Sequence, residues 1–183
     1  MTIFIVCVSI VLLVLADQIA KIIATLAISD GTIIPIIGDF LTLTFTRNTG
    51  AAWGMMSGTR WLLILGPVVA ILLCFAALVL KKVRHKTGVF ALTLVMAGGI
   101  GNLIDRIFQQ GGGVVDYIHF DFAPLFDFPI FNFADICVTF GAIFLGIYLF
   151  FFFEKEHPSK KKGMQAELEN GGETIEPDDA DGN

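Results

Sequence analysis

Two aspartates with no basic neighbour, Asp116 in Val114-Val115-Asp116-Tyr117-Ile118 and Asp135 in Phe131-Asn132-Phe133-Ala134-Asp135, flank segments apolar enough to cross a bilayer. A carboxylate at the centre of a membrane helix costs about 2.5–3.5 kcal/mol on insertion scales, and less near an interface. Two such groups facing one apolar site cannot both ionise and so share a proton. One carboxylate can then activate water while the other protonates or steadies a carbonyl oxygen, which is general acid–base hydrolysis.

Other polar residues gather on the same segments. In Gly98-Gly99-Ile100-Gly101-Asn102-Leu103-Ile104-Asp105-Arg106, Asn102, Asp105 and Arg106 stand three and four residues apart, hence on one helix face. The glycines one turn earlier permit close approach of another helix or a ligand. Asn132 and Asp135 likewise share a face, and Asp17–Lys21 is an i,i+4 pair in the favoured acid-first order. Asp17 with Lys21 reads as a neutralised pair that helps helices assemble. Asp105 beside Arg106 reads as a charge compensated in place, and Asn132 as a hydrogen-bond donor that positions its neighbours.

The elements that must position these residues are membrane helices. The chain has 183 residues, 55% hydrophobic and only 16% charged, with a mean hydropathy of +0.78. Four spans are predicted near 3–26, 61–80, 88–108 and 130–153, each long enough for a hydrocarbon core of about 30 Å. The expected class is therefore an all-α membrane protein of four transmembrane helices. A small β element and a loop or short helix are expected on its outer face. Leu41-Thr42-Leu43-Thr44-Phe45-Thr46 alternates with the period of a strand, after breaks at Pro35 and Gly38. Gly111-Gly112-Gly113 reads as a hinge, and the Phe- and Pro-rich stretch 120–129 as a segment dipping into the interface.

The net charge of −5 resides in the polar stretch 154–183, where nine acids meet four lysines. That stretch lacks an apolar period and is expected to be a disordered tail, leaving 1–153 as one domain. Eight of the twelve Lys and Arg residues lie in 81–86 or after 154, which places both termini in the cytoplasm and the polar cluster toward the outer face. The first span lacks a basic n-region and is expected to be a retained helix, not a cleaved leader. Cys7, Cys74 and Cys137 are scattered, as are the three histidines, so no metal site is expected.

From the residues alone a hydrolase stands beside a small proton-coupled transporter or channel subunit and a non-catalytic binding chaperone. A relay across the membrane needs titratable groups through its whole depth. The stretches 72–80 and 145–153 offer no Asp, Glu, His, Lys or Arg, which favours a site open at one side.

In order, Asp17-Gln18-Ile19-Ala20-Lys21, Arg47-Asn48-Thr49-Gly50-Ala51-Ala52-Trp53-Gly54, the Gly-Asn-x-x-Asp-Arg core ending at Arg106, and the two segments around Asp116 and Asp135 resemble the lipoprotein signal peptidases (signal peptidase II). The resemblance runs over about residues 3–153. It implies a membrane-embedded aspartyl peptidase that removes the signal peptide of a bacterial prolipoprotein, cutting just before a cysteine that carries diacylglycerol. It implies Asp116 and Asp135 as the catalytic dyad, and Asn48, Asn102, Arg106 and Asn132 lining or bracing the site. Gly98, Asp17, Lys21 and Asp105 would support it. No metal, other cofactor, covalent acyl-enzyme or nucleic acid is expected. The partners would be the diacylglyceryl-prolipoprotein and membrane lipid, the protein a monomer, and the location the bacterial inner membrane. The stretch 106–115 is longer than is usual in the family, Tyr117 stands where Phe is common, and the acidic tail has no counterpart.

Overall fold

The computed structural model describes residues 2–28, 31–50, 60–122 and 126–157. Residues 51–54 of the second motif, 123–125 of the Phe- and Pro-rich stretch, and the tail from 158 lie outside them. Four helices cover the expected spans: α1 (Thr2–Ala27), α2 (Arg60–Val79), α3 (Lys86–Phe108) and α4 (Phe133–Phe151). Their runs are predominantly apolar, and a helix satisfies nearly all of its backbone groups internally, as a lipid environment demands. All four are long and apolar enough to cross a membrane. A last turn, α5 (Phe153–Glu156), follows α4. Glu156 accepts hydrogen bonds from the Tyr148 hydroxyl at 2.6 Å and the Arg84 amide at 2.6 Å, so this turn is tied to the α2–α3 connection.

Helix α3 is the centre of the bundle and packs on α1, α2 and α4. Its glycines make that possible. A Cβ on Gly98 would run into the Ala134 carbonyl and stand 2.7 Å from Val138 Cγ2. One on Gly101 would lie 2.6 Å from Asp17 Oδ2, and one on Gly141 of α4 2.7 Å from Val95. The close approach is therefore between helices α3 and α4, with α1 meeting Gly101.

The β element is larger than expected. Strands β1 (Ile34–Ile37), β2 (Leu41–Asn48), β3 (Val114–Phe122) and β4 (Phe126–Asp127) form a sheet in the order β1-β2-β3-β4 with antiparallel neighbours. Alternation in 41–46 marked β2 correctly. Pro35 does not end the sheet, because β1 is an edge strand where a missing N–H is tolerated. Asp116 lies on β3 opposite Thr46. Val114 and Val115 are buried beside it, so the stretch behaves as a central strand. The glycine triplet is a tight turn rather than open chain. Gly111 and Gly112 have φ of 72° and 69°, a left-handed conformation that glycine adopts without steric cost.

Candidate active site

The site is built where the first turn of α4, the last turns of α3 and strand β3 converge. Asn132 caps α4: its side chain accepts the Asp135 amide at 3.0 Å, while its own amide donates to Asp135 Oδ2 at 3.0 Å. This reciprocal cap fixes Asp135 in the first helical turn, where free N–H groups and the helix dipole face its carboxylate. The predicted span began at 130, whereas the cap starts the helix at Phe133. Asn-x-x-Asp before an apolar run is a capping-box pattern, so the sequence carried that signal.

Asn132 also joins the two aspartates. Fully buried, it donates through Nδ2 to Asp116 Oδ1 at 2.6 Å and to Asn102 Oδ1 at 3.2 Å. Asn102 in turn donates to Asp135 Oδ1 at 2.7 Å. One asparagine thus touches both carboxylates, and a second holds Asp135 from α3. Asp116 and Asp135 both line a cavity of about 860 Å³ with Asn48, Asn102 and Arg106. The remaining wall is mostly apolar and includes Phe120, Phe122, Phe128 and Phe131. Stacked and edge-on ring contacts join Phe120 to Phe131 at 5.6 Å and Phe128 to Phe131 at 5.7 Å.

Behind the cavity lies a buried ionic knot. Lys21, 3% exposed, places Nζ 2.9 Å from Asp17 Oδ2, 2.9 Å from Asp105 Oδ2 and 3.0 Å from Asn102 Oδ1. Asp17 Oδ1 accepts the Ala134 amide at 2.9 Å, and Asp105 Oδ2 accepts the Val115 amide at 3.2 Å. The knot therefore grips the backbone beside both cavity aspartates. Its three ammonium hydrogens match three acceptors, the condition under which a buried charge is tolerated.

The match to known proteins agrees with this geometry. The model of the signal peptidase (SPase) II family matches residues 9–151. The chain belongs to the signal peptidase II family. The lipoprotein signal peptidase of Clostridium tetani is 39% identical over 140 residues, covering 76% of this chain and 88% of that one. That of Clostridioides difficile is 38% identical over 146 residues, covering 80% and 95%. Two solved bacterial membrane enzymes are similar with a TM-score of 0.71 each. One is 28% identical and covers 96% of both chains; the other is 33% identical and covers 80% of this chain and 93% of its own. This signal peptidase II homologue is thus a multi-pass bacterial membrane peptidase.

Within this signal peptidase II framework, one sequence-based expectation needs revision. Asp105 is compensated by Lys21 on α1, not by adjacent Arg106, because neighbours on a helix point about 100° apart. Arg106 instead donates to the Gly112 carbonyl at 3.3 Å and the Gly50 carbonyl at 2.5 Å, tying the ends of β2 and the glycine turn to α3. Gly98 sits in the α3–α4 contact, the helix approach its glycine run was expected to permit, behind the cavity lining. The Asp17–Lys21 pair forms as its spacing indicates, and Asn132 donates to its neighbours as a positioning residue.

Two polar residues escaped the sequence reading. Gln18 donates toward Asp17 at 3.1 Å, the Gly101 carbonyl at 3.2 Å and Asp105 at 3.3 Å. Its place beside Asp17 in the first motif was the available signal. Arg60 donates to the Arg106 carbonyl at 2.7 Å and the Ile107 carbonyl at 3.2 Å, capping the end of α3. Nothing in its local sequence announces that role.

Burial, and then the charge of Asp135, raises the pKa of Asp116 from 3.8 to about 7, against the hydrogen bonds from Asn132 and Asn48. The folded protein then holds a proton on Asp116 that the unfolded chain releases near pH 4. Stability from this group is full below about pH 4 and is lost as pH rises through about 7. Asp116→Asn removes the titration, so its melting temperature relative to wild type is expected to be higher at about pH 8 than at about pH 4. Thermal unfolding in detergent at both values reads this directly, and an equal difference at the two would refute it.

Proposed function

We propose that the protein is an aspartic endopeptidase that removes the signal peptide from diacylglyceryl-modified bacterial prolipoproteins, cutting before the lipidated cysteine. The observation that carries this reading is that Asp116 and Asp135 meet at Asn132 and face one largely apolar cavity. Membership of the signal peptidase II family supports the prolipoprotein as substrate.

Asp116 and Asp135 share one proton. The ionised member takes a proton from water as the oxygen attacks the scissile carbonyl, and the protonated member gives its proton to the carbonyl oxygen. Collapse of the resulting gem-diol breaks the C–N bond, with a proton passing to the departing cysteine amine. The pair titrates as a unit, and an Asp116 pKa of about 7 keeps one proton on it near neutral pH. Arg106, Asn48 and Asn102 line the polar end, while the phenylalanine wall accepts the apolar part of the substrate.

In this reading, residues 1–153 are the peptidase and 154–183 a dispensable cytoplasmic tail. The protein is a monomer in the inner membrane, with both termini cytoplasmic and the cavity toward the outer face. Eight of twelve basic residues fall in 81–86 or after 154 in the sequence, which supports that orientation. The test is incubation of the purified full chain with a diacylglyceryl-modified prolipoprotein, followed by mass spectrometry. The expected products are the intact signal peptide and a lipoprotein beginning at the modified cysteine. A folded enzyme that leaves this substrate whole overturns the proposal.

A further inference from the structure

Helix α2 is held unevenly along its length. Its C-terminal half enters the buried core through Ile71, Cys74, Ala77 and Leu78, which pack with Val6, Leu92 and Met96. Its N-terminal half contributes nothing to either core cluster among the described residues. There Leu62, Leu63 and Pro67 form one wall of the cavity, facing Ile136, Thr139 and Phe140 of α4.

The junction of the two halves is a weak point. Pro67 lies inside α2 and has no N–H, so the Leu63 carbonyl lacks its usual intrahelical partner. Gly66 precedes it, and a Cβ there would meet nothing within 4 Å. A glycine beside a proline is a recognised cause of helix bending. Above this point, among the described residues, the helix is anchored by the hydrogen bonds from Arg60 to the Arg106 and Ile107 carbonyls at the end of α3.

We infer that the upper half of α2 is a movable wall of the cavity, hinged at Gly66–Pro67 and latched by Arg60 to the end of α3. Swinging it away from α4 opens the cavity sideways to the bilayer, where a lipid-modified peptide helix resides. The inference rests on the substrate reading above for what passes through, but the motion stands on α2 alone. Arg60 is in this scheme a positioning residue, acting through α3 and touching no reacting atom.

The test labels Trp61→Cys and Ile143→Cys, both exposed on the lipid side, with spin probes, after Cys7, Cys74 and Cys137 are replaced by alanine. Pulsed distance measurements in lipid should give a broad distribution for the otherwise wild-type chain, a narrower one for Gly66→Ala, and a shift to longer distances for Arg60→Met. Arg60→Lys, which keeps a donor, should restore part of that shift. Identical distributions in all of these overturn the inference, and so does an Arg60→Met variant that only melts earlier. With native cysteines in place, Gly66→Ala should slow turnover of the lipidated prolipoprotein about fivefold, the rate equivalent of the glycine–alanine difference in helix preference. Unchanged turnover also overturns it. The distance arm needs no cleavage, so it reads the hinge even if the substrate proposal fails.

Discussion

Asp116→Asn and Asp135→Asn are each expected to lower cleavage of a diacylglyceryl-prolipoprotein by about 10²–10⁴-fold, the contribution of a positioned acid–base group. The two variants should differ in stability. At 116 the amide oxygen of asparagine can keep accepting from buried Asn132 Nδ2, and the bond from Asn48 is the one at risk. At 135 both carboxylate oxygens are in use, one by the Asn132 amide and one by Asn102 Nδ2. An asparagine there must turn its NH₂ toward a donor, which costs about 1–3 kcal/mol for the unsatisfied group. The double variant should be no slower than the worse single one, because the pair acts as a unit. Full activity in folded Asp116→Asn would remove the dyad and leave Asp105, 1% exposed and paired with Lys21, as the carboxylate to examine next.

Lys21→Met is expected to give the largest loss of stability, about 3–5 kcal/mol, because it leaves buried carboxylates without their counter-charge. Asp17 and Asp105 would face each other across the space that Nζ now fills, and Asn102 would lose one of its two donors. The damage should spread, since these carboxylates hold the Ala134 and Val115 amides beside the cavity. Adding Asp17→Asn and Asp105→Asn to Lys21→Met should recover much of the loss, because a neutral set leaves no unpaired charge. By contrast, removing the Arg84–Glu156 ion pair, 3.5 Å long with the arginine 66% exposed, should change little. Melting temperatures in detergent measure all three. A Lys21→Met protein as stable as wild type would show that the knot is not what holds α1 against α3 and α4.

How far the molecule was legible follows from how local each feature is. Four spans could be counted from hydropathy, and their ends fell close to the observed helices except at α4, where the Asn132 cap was read as helix. β2 was visible in alternation, whereas β3 was hidden: Val114-Val115-Asp116 follows a glycine run and shows no clean period. Its strand character depends on pairing with β2, more than sixty residues earlier. The residues of the cavity were named from motifs, but not the manner in which they are held.

What the sequence by itself determined is the membrane class, the helix count, the shared faces of Asn102–Arg106 and Asn132–Asp135, and the family. These rest on composition, on spacing within one helix, or on motif order, all of which are local properties of the chain. Only the tertiary structure decided that Lys21 neutralises Asp105, that Arg106 binds the Gly50 and Gly112 carbonyls, and that Asn132 bridges Asp116 and Asp135. It also decided that Gly98 serves helix packing and that Arg60 caps α3. Each of these partnerships joins elements that meet only once α1, α4 and the sheet have closed around α3. A buried charge or donor takes whichever partner the packed bundle brings within about 3 Å, and not the one beside it in the chain.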